Sequence, residues 1–323
     1  MKRLLNILTA ERSRTYPSPQ RTCRFSLILG FALYCCVSGL EFFNQTLLAK
    51  DEYPGVEFDF QSRSTGMVQA GTTKEGLSES SNLLCITVPL AGSDQLGVAS
   101  DFTFEHSSFD FKMPTGYATV PAPLLSSANS LLCQPTFQCR LGSSWRVFAS
   151  PSFGYSWAAH AGLKDASLWS LSVGGLFLKD QDFQVGLGVE VSQRMKASNR
   201  VWPFPLFQWN IDARWTLNST DGQSGRLTYA VTPRFSFAGQ MEYRSQDIRL
   251  AKSSSVPAGI LRLETLSLCL GGIYKPRPHT IVALLVGKAP YQSYRIEDVN
   301  GNPVAPSFSG CPWTVFMELD CTF

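Results

Sequence analysis

Few residues of this 323-residue chain could do chemistry, and they are scattered. Of three histidines (His106, His160, His279), only His106 has a hydroxyl beside it, in FEHSSFDF with Ser107, Ser108 and, nearby, Asp110. A serine nucleophile needs a histidine base within hydrogen-bond reach and a third group to orient that base. On an extended strand adjacent side chains point to opposite faces, so His106 and Ser107 could not meet there. That leaves a barrel-embedded hydrolase with one poor foothold, and no catalytic residue is assigned. No G-x-S-x-G, G-x-x-x-x-G-K-[ST] or G-x-G-x-x-G occurs; Gly186 and Gly188 sit inside the alternating run VGLGVEV, where they make room on one face. Outside the N-terminal segment six cysteines remain, Cys85, Cys133, Cys139, Cys269, Cys311 and Cys321, with no C-x-x-C pair among them. Neither a metal site nor a cofactor is expected. Cys133 with Cys139, or Cys311 with Cys321, could bridge in an exported protein. Equally, all six could be small apolar fillers.

The remaining candidates are isolated charges. Glu190, Asp212, Arg214, Arg234, Glu242 and Arg244 all fall, by parity, on the less apolar side of alternating segments. They could line a pore or pair with one another, and pairing suits a small barrel whose interior is mostly filled.

The elements that carry these charges read as strands, because the dominant signal from about Gly55 onward has period two. In Phe183–Arg194, Val185, Leu187, Val189 and Val191 alternate with Gln184, Gly186, Gly188, Glu190 and Ser192. Phe207–Leu217 alternates Phe207, Trp209, Ile211, Ala213, Trp215 and Leu217 with Gln208, Asn210, Asp212, Arg214 and Thr216, and reads as one strand. On that reading, Arg placed at Ile211 or Ala213 would face lipid and destabilise the fold, while Arg at Asn210 or Asp212 would be much milder. Turn clusters such as LNSTDGQSG, KSSSVPAG and EDVNGNPVAPSFSG separate the runs, so hairpins and an antiparallel sheet are expected. Thr65–Asn82 and Met113–Ser130 read as irregular. The count comes to about 12 strands, within a range of 10–14, many of about 9–11 residues, the length a tilted strand needs to cross a bilayer.

Composition narrows the setting. Apolar residues make up 44% and charged residues only 16%, the latter well below the roughly 25% of a soluble domain. No apolar run of about 18 residues lies in the body of the chain, which excludes a helical membrane protein. Lys2, Arg3, Arg12, Arg14, Arg21 and Arg24 precede the uncharged stretch Phe25–Gly39, the pattern of an export signal. Residues 1–49 are expected to be a leader, with cleavage after Gly39 or Ala49, and residues 50–323 a single barrel domain. The leader holds six basic and two acidic residues, so 22 basic face 23 acidic ones in the rest. The surplus of positive charge therefore belongs to the leader, and no nucleic-acid partner is expected.

A soluble exported β-sandwich that binds a ligand would also alternate, but its exposed face would be rich in Lys and Glu. Here the less apolar faces carry Gln, Asn, Ser and Gly, which suits a crowded polar lumen. The apolar faces carry Trp209, Trp215, Tyr229 and Tyr243, as an aromatic girdle would. The chain ends WTVFMELDCTF, where Trp313, Val315, Met317, Leu319, Cys321 and Phe323 share one face. This alternating last strand with a terminal aromatic resembles the assembly signal of Gram-negative outer-membrane barrels. The segment Trp202–Pro205, Trp209–Ile211 followed by Trp215, and the turn Asp298–Asn302 extend the likeness. Over residues 140–323 the sequence resembles an uncharacterised family of bacterial outer-membrane-like β-barrel domains. That resemblance implies a location and a fold without an activity. The expectation is thus an all-β, closed, antiparallel up-and-down transmembrane barrel in the outer membrane. It would be structural or a narrow passive pore, with outer-membrane lipid and the barrel assembly machinery as partners.

Overall fold

A computed structural model describes residues 55–69, 76–93, 95–112, 124–179, 182–219, 223–304 and 308–323; the expected leader lies outside them. The wall begins with β1 (Glu57–Gln69), β2 (Gly76–Gly92), β3 (Leu96–Lys112), β4 (Ser127–Leu141) and β5 (Trp145–Ala158). It continues with β6 (Ser167–Leu178), β7 (Phe183–Ser192), β8 (Arg200–Asn210), β9 (Trp215–Ser219) and β10 (Ser224–Ala230). β11 (Phe235–Arg249), β12 (Ile260–Arg277), β13 (Thr280–Glu297), β14 (Phe308–Gly310) and β15 (Trp313–Thr322) complete it. Each strand pairs antiparallel with the next, and β15 closes the circle by pairing with both β13 and β1. The three-residue β14 adds to the same edge of β13 as β15 and forms the start of that last wall strand. The barrel therefore has 14 wall strands rather than about 12. Closure leaves no sheet edge along most of the wall, the only arrangement of strands that satisfies the backbone in lipid.

The strand count rose chiefly because Phe207–Leu217 is a hairpin. β8 stops at Asn210, and the Ile211 N–H bonds back to the Trp215 carbonyl at 2.9 Å. Asp212 Oδ1 closes the turn by accepting the N–H groups of Arg214 (2.7 Å) and Trp215 (2.8 Å). A four-residue turn preserves parity, so the alternation runs through it unbroken. Ile211 and Ala213 are turn residues, and the contrast expected between Arg on the two sides of this segment does not apply to them. The two N–H donors hold the Asp212 carboxyl below the usual carboxylate range. A depressed folded-state pKa stabilises above the ordinary range and loses that contribution as pH falls through it. The protection of the Arg214 and Trp215 amides, measured relative to intrinsic exchange at each pH, should therefore hold at neutral pH and fall below about pH 4, the usual carboxylate range. Asp212→Ala should abolish that pH step; a step that persisted would count against the turn.

Six turns of two to four residues lie at one end of the barrel, where β1 begins and β15 finishes. Apart from the four residues between β9 and β10, the connections on the other side are longer, as outer-membrane barrels have it. β12 and β13 run for 18 residues each, nearly twice the expected span. Thr65–Asn82, expected to be irregular, supplies the end of β1 and the start of β2, and Tyr291–Glu297 is the continuation of β13. By contrast β9 and β10 have only five and seven residues.

At the loop end the ring is pinched. Trp157 of β5 bridges Arg249 of β11 in parallel, although five strands separate them along the wall. Arg249 reinforces the junction by donating to the carbonyls of Asp165 (3.0 Å) and Ala258 (2.8 Å). β6–β10 are left outside this contact. Within the pinch, Leu77, Phe109, Leu125, Ile248, Leu261 and Tyr294 belong to a buried, largely apolar cluster. This end of the main lumen is a packed core.

Candidate functional site: the lumen and its chamber

The alternation places two different surfaces on the wall. Leu187, Leu270, Leu284 and Val315 lie on the exposed outer rows, with Leu270 reaching 73% exposure. On the inner rows, charges from strands far apart in the ring meet across the lumen. Arg63 of β1 pairs with Glu242 of β11, and Arg226 of β10 reaches Glu318 of β15. Arg244 of β11 bridges Glu79 of β2, at 3.1 Å, and Glu105 of β3. These pairs fill one side of the lumen and tie opposite walls together.

The other side is open. A cavity of about 700 Å³ lies against the inner faces of β3–β8 and reaches β11. Its lining includes seven serines, seven glutamines and two threonines, some already paired with each other, as Ser152 with Ser170 (2.6 Å) and Thr136 with Ser150 (2.8 Å). Four arginines (Arg146, Arg194, Arg200, Arg244) balance four acids (Asp101, Glu105, Glu190, Asp247). A surface so rich in neutral donors and acceptors, with no surplus charge, can replace the hydration of a small uncharged polar solute.

Of the six charges singled out from the sequence, Glu190, Glu242 and Arg244 lie on inner rows. Glu190 pairs with Arg200 at 3.5 Å and accepts from Gln223 at 3.2 Å. Asp212, Arg214 and Arg234 sit in exposed turns at the turn end, outside the lumen. Arg214 donates there to the Tyr229 hydroxyl at 3.2 Å. Sequence reasoning missed Arg63, Glu79, Glu105, Arg200, Arg226 and Glu318. Parity marks Glu318 as inward, but only closure of the ring reveals its partner.

Other expectations resolve on the same geometry. His106 lies on the outer row beside Asn129, 2.9 Å from its side chain, while Ser107 is buried on the inner row and donates to Glu79 at 3.4 Å. The two cannot form a nucleophile–base pair. All six described cysteines are free thiols. Aromatic pairs gather at the turn end, with Trp215 against Tyr229 (ring centroids 4.7 Å apart), Trp145 against Phe177 (5.3 Å) and Phe183 against Trp209 (5.8 Å). Tyr243, expected in that girdle, is elsewhere and stacks on Trp202.

An apolar exterior, a polar interior, dyad alternation and a closed antiparallel ring define a β-barrel of the outer-membrane type. No family model and no curated protein sequence matches the chain. Among solved structures it is similar to an outer-membrane channel from Pseudomonas putida F1, at 11% identity and a TM-score of 0.41 over 85% of this chain and 100% of that one. The KdgM porin is also similar, at 10% identity and a TM-score of 0.34 over 83% and 99% of the two chains. A hydrocarbon channel, TodX, gives 7% and 0.38 over 84% and 91%.

Proposed function

We propose that this chain is an outer-membrane β-barrel that passively admits small uncharged polar solutes through its lumen chamber. The carrying observation is the 700 Å³ cavity lined by hydroxyls and amides inside an apolar-walled closed ring. Solute recognition there is by hydrogen bonding, because the charged lining residues balance. The test is swelling of vesicles holding the purified chain, together with planar-bilayer conductance. Small sugars such as arabinose should enter and a tetrasaccharide should not. Absence of both swelling and conductance would overturn the pore. It would favour the structural reading, which the cross-lumen ion pairs and the apolar plug support.

Two expected results bear on the membrane. Leu284 is 54% exposed on the outer row, four residues from the start of β13. At ~3.3 Å per residue and a tilt of ~40° it sits roughly 10 Å above the turn end, near the middle of a ~25 Å apolar band. Leu284→Arg should therefore destabilise by about 2–4 kcal/mol in unfolding titrations from lipid vesicles, whereas Ile211→Arg in the exposed turn should be nearly silent. Equal effects would contradict the membrane placement.

The second concerns assembly. Trp313, Val315 and Met317 form an exposed outer row on β15, Leu319 and Cys321 continue it half-buried, and the exposed Phe323 follows the strand. Until the ring closes, β15 offers a free edge to which an assembly machine could add by main-chain pairing, alternate side chains giving specificity. Deleting Phe323 should cut the folded, heat-modifiable protein in the outer-membrane fraction and leave export across the inner membrane intact. Wild-type levels in that fraction would sink the signal.

A further inference from the structure

The Trp-Pro-x-Pro run of β8 coincides with a break in the wall. β8 pairs with β9 only from Phe207 to Asn210, and β10 pairs with β11 only as far as Glu242. Among the described residues, no ladder joins β8 over 200–206 to β11 over 244–248, between the Tyr243 N–H, which reaches the Gln223 carbonyl, and Arg249, which bridges β5. The Asn210 N–H bonds to Asp182 on the β7 side, and the Ile211 N–H to Trp215 on the β9 side. Backbone groups alternate along an antiparallel strand, so residues 201, 203 and 205 aim at the unpaired side. Two of those three are Pro203 and Pro205, which have no N–H to leave unsatisfied. Proline within a sheet belongs where its missing donor faces no partner. The seam is therefore written into the sequence.

Its height and lining say what could use it. The seven residues of β10 climb only ~18 Å from the turn end, short of the ~25 Å apolar band, so the seam above them opens at the depth of the outer leaflet. Trp202 lies opposite Glu190 in the β7–β8 ladder, on the inner row, while Tyr243 shares the outer row with Met241. Their rings stack at 5.2 Å and 9°, so the stack crosses the seam. The Arg200 guanidinium carbon lies 5.9 Å from the Trp202 centroid and 5.8 Å from that of Tyr243. Arg200 lines the chamber, and its Nε and Nη1 are buried without a hydrogen-bond partner.

We propose that this seam is a side door from the chamber into the outer leaflet for a small amphiphile with a single anionic head. Arg200 takes the head on its two unpartnered donors, the tail leaves between β8 and β11, and the Trp202–Tyr243 stack is the shutter. The test uses the full chain in vesicles of phosphatidylcholine brominated on its acyl chains. The contribution of Trp202 is the fluorescence lost in Trp202→Phe, and that of the outward Trp209 is read in the same way. Trp202 should show at least half the bromine quenching of Trp209, although its row points inward. Quenching of Trp202 by aqueous acrylamide alone would mean a sealed wall and overturn the door. Decanoate below its micellar range should bind and change the Trp202 signal, at least tenfold more weakly in Arg200→Gln. Equal binding by both proteins, or none by the wild type, would overturn the head site. Sugar entry in the swelling assay is read separately, so it can persist when the door fails and fail when the door persists.

Discussion

Arg262→Met should be the most damaging single side-chain change in the wall. Arg262 on β12 is 4% exposed, and it donates to Glu297 (Nη2, 2.7 Å) and Asp247 (Nη1, 3.1 Å), both buried themselves. Its Nη2 also holds the Met195 carbonyl at 3.0 Å, and Asp247 accepts the Met195 N–H at 2.8 Å, so Arg262, together with Arg194 on Glu264 at 3.1 Å, fastens the connection between β7 and β8 to β11 and β12. Removing one partner of a buried ion pair costs about 3–5 kcal/mol, because the charge left behind is desolvated and uncompensated. Here Glu297 loses the cation it pairs with, while Asp247 keeps the Met195 N–H and Arg194 at 3.8 Å, so the loss in guanidinium titrations from micelles should fall within that range. Adding Asp247→Asn and Glu297→Gln should recover much of it, since the cost lies in the orphaned charges. A triple variant no better than Arg262→Met alone would assign the loss to packing instead.

The second large effect is expected at Gly287 on β13. Its position lies opposite Cys269 of β12 and Thr314 of β15, on the inner row next to the fully buried Leu285. A Cβ there would overlap the Leu268 carbonyl oxygen and the Cys269 Cα, which are backbone atoms and cannot swing aside. Gly287→Ala should therefore act at the top of the roughly 1–3 kcal/mol range for overpacking, even though it adds a single methyl group. Gly97→Ala on β3 is the control, since its added Cβ would only touch that of Gln138 at 4.0 Å. The ratio of heat-modifiable to unfolded protein after refolding reads the difference. Comparable yields from the two variants would show that β12 and β13 leave room for a Cβ at Gly287.

The period-two pattern alone determined that this chain is a sheet with one apolar and one polar face. It also assigned the rows of β7 and β15, because on a strand the face of a side chain depends only on parity. For the same reason Glu190, Glu242 and Arg244 could be read as inward residues without any knowledge of the fold. Parity carries no information about where a strand stops. Ile211–Arg214 keeps the alternation while reversing the chain, and only the hydrogen bonds from Arg214 and Trp215 to Asp212 reveal the turn. Asp212, Arg214 and Arg234 left the lumen on that account. Parity is also silent on partners across a ring. That Arg63 meets Glu242 and Arg244 meets Glu105 depends on the number of strands and on closure, which bring together residues more than a hundred positions apart. The pinch between Trp157 and Arg249, and with it the division into an apolar plug and a polar chamber, was decided by tertiary structure. It follows from unequal strand lengths, since β5 and β11 can touch only above neighbours too short to stand between them. The prolines of β8 were visible from the start, but their meaning depended on β9 and β10 ending below them.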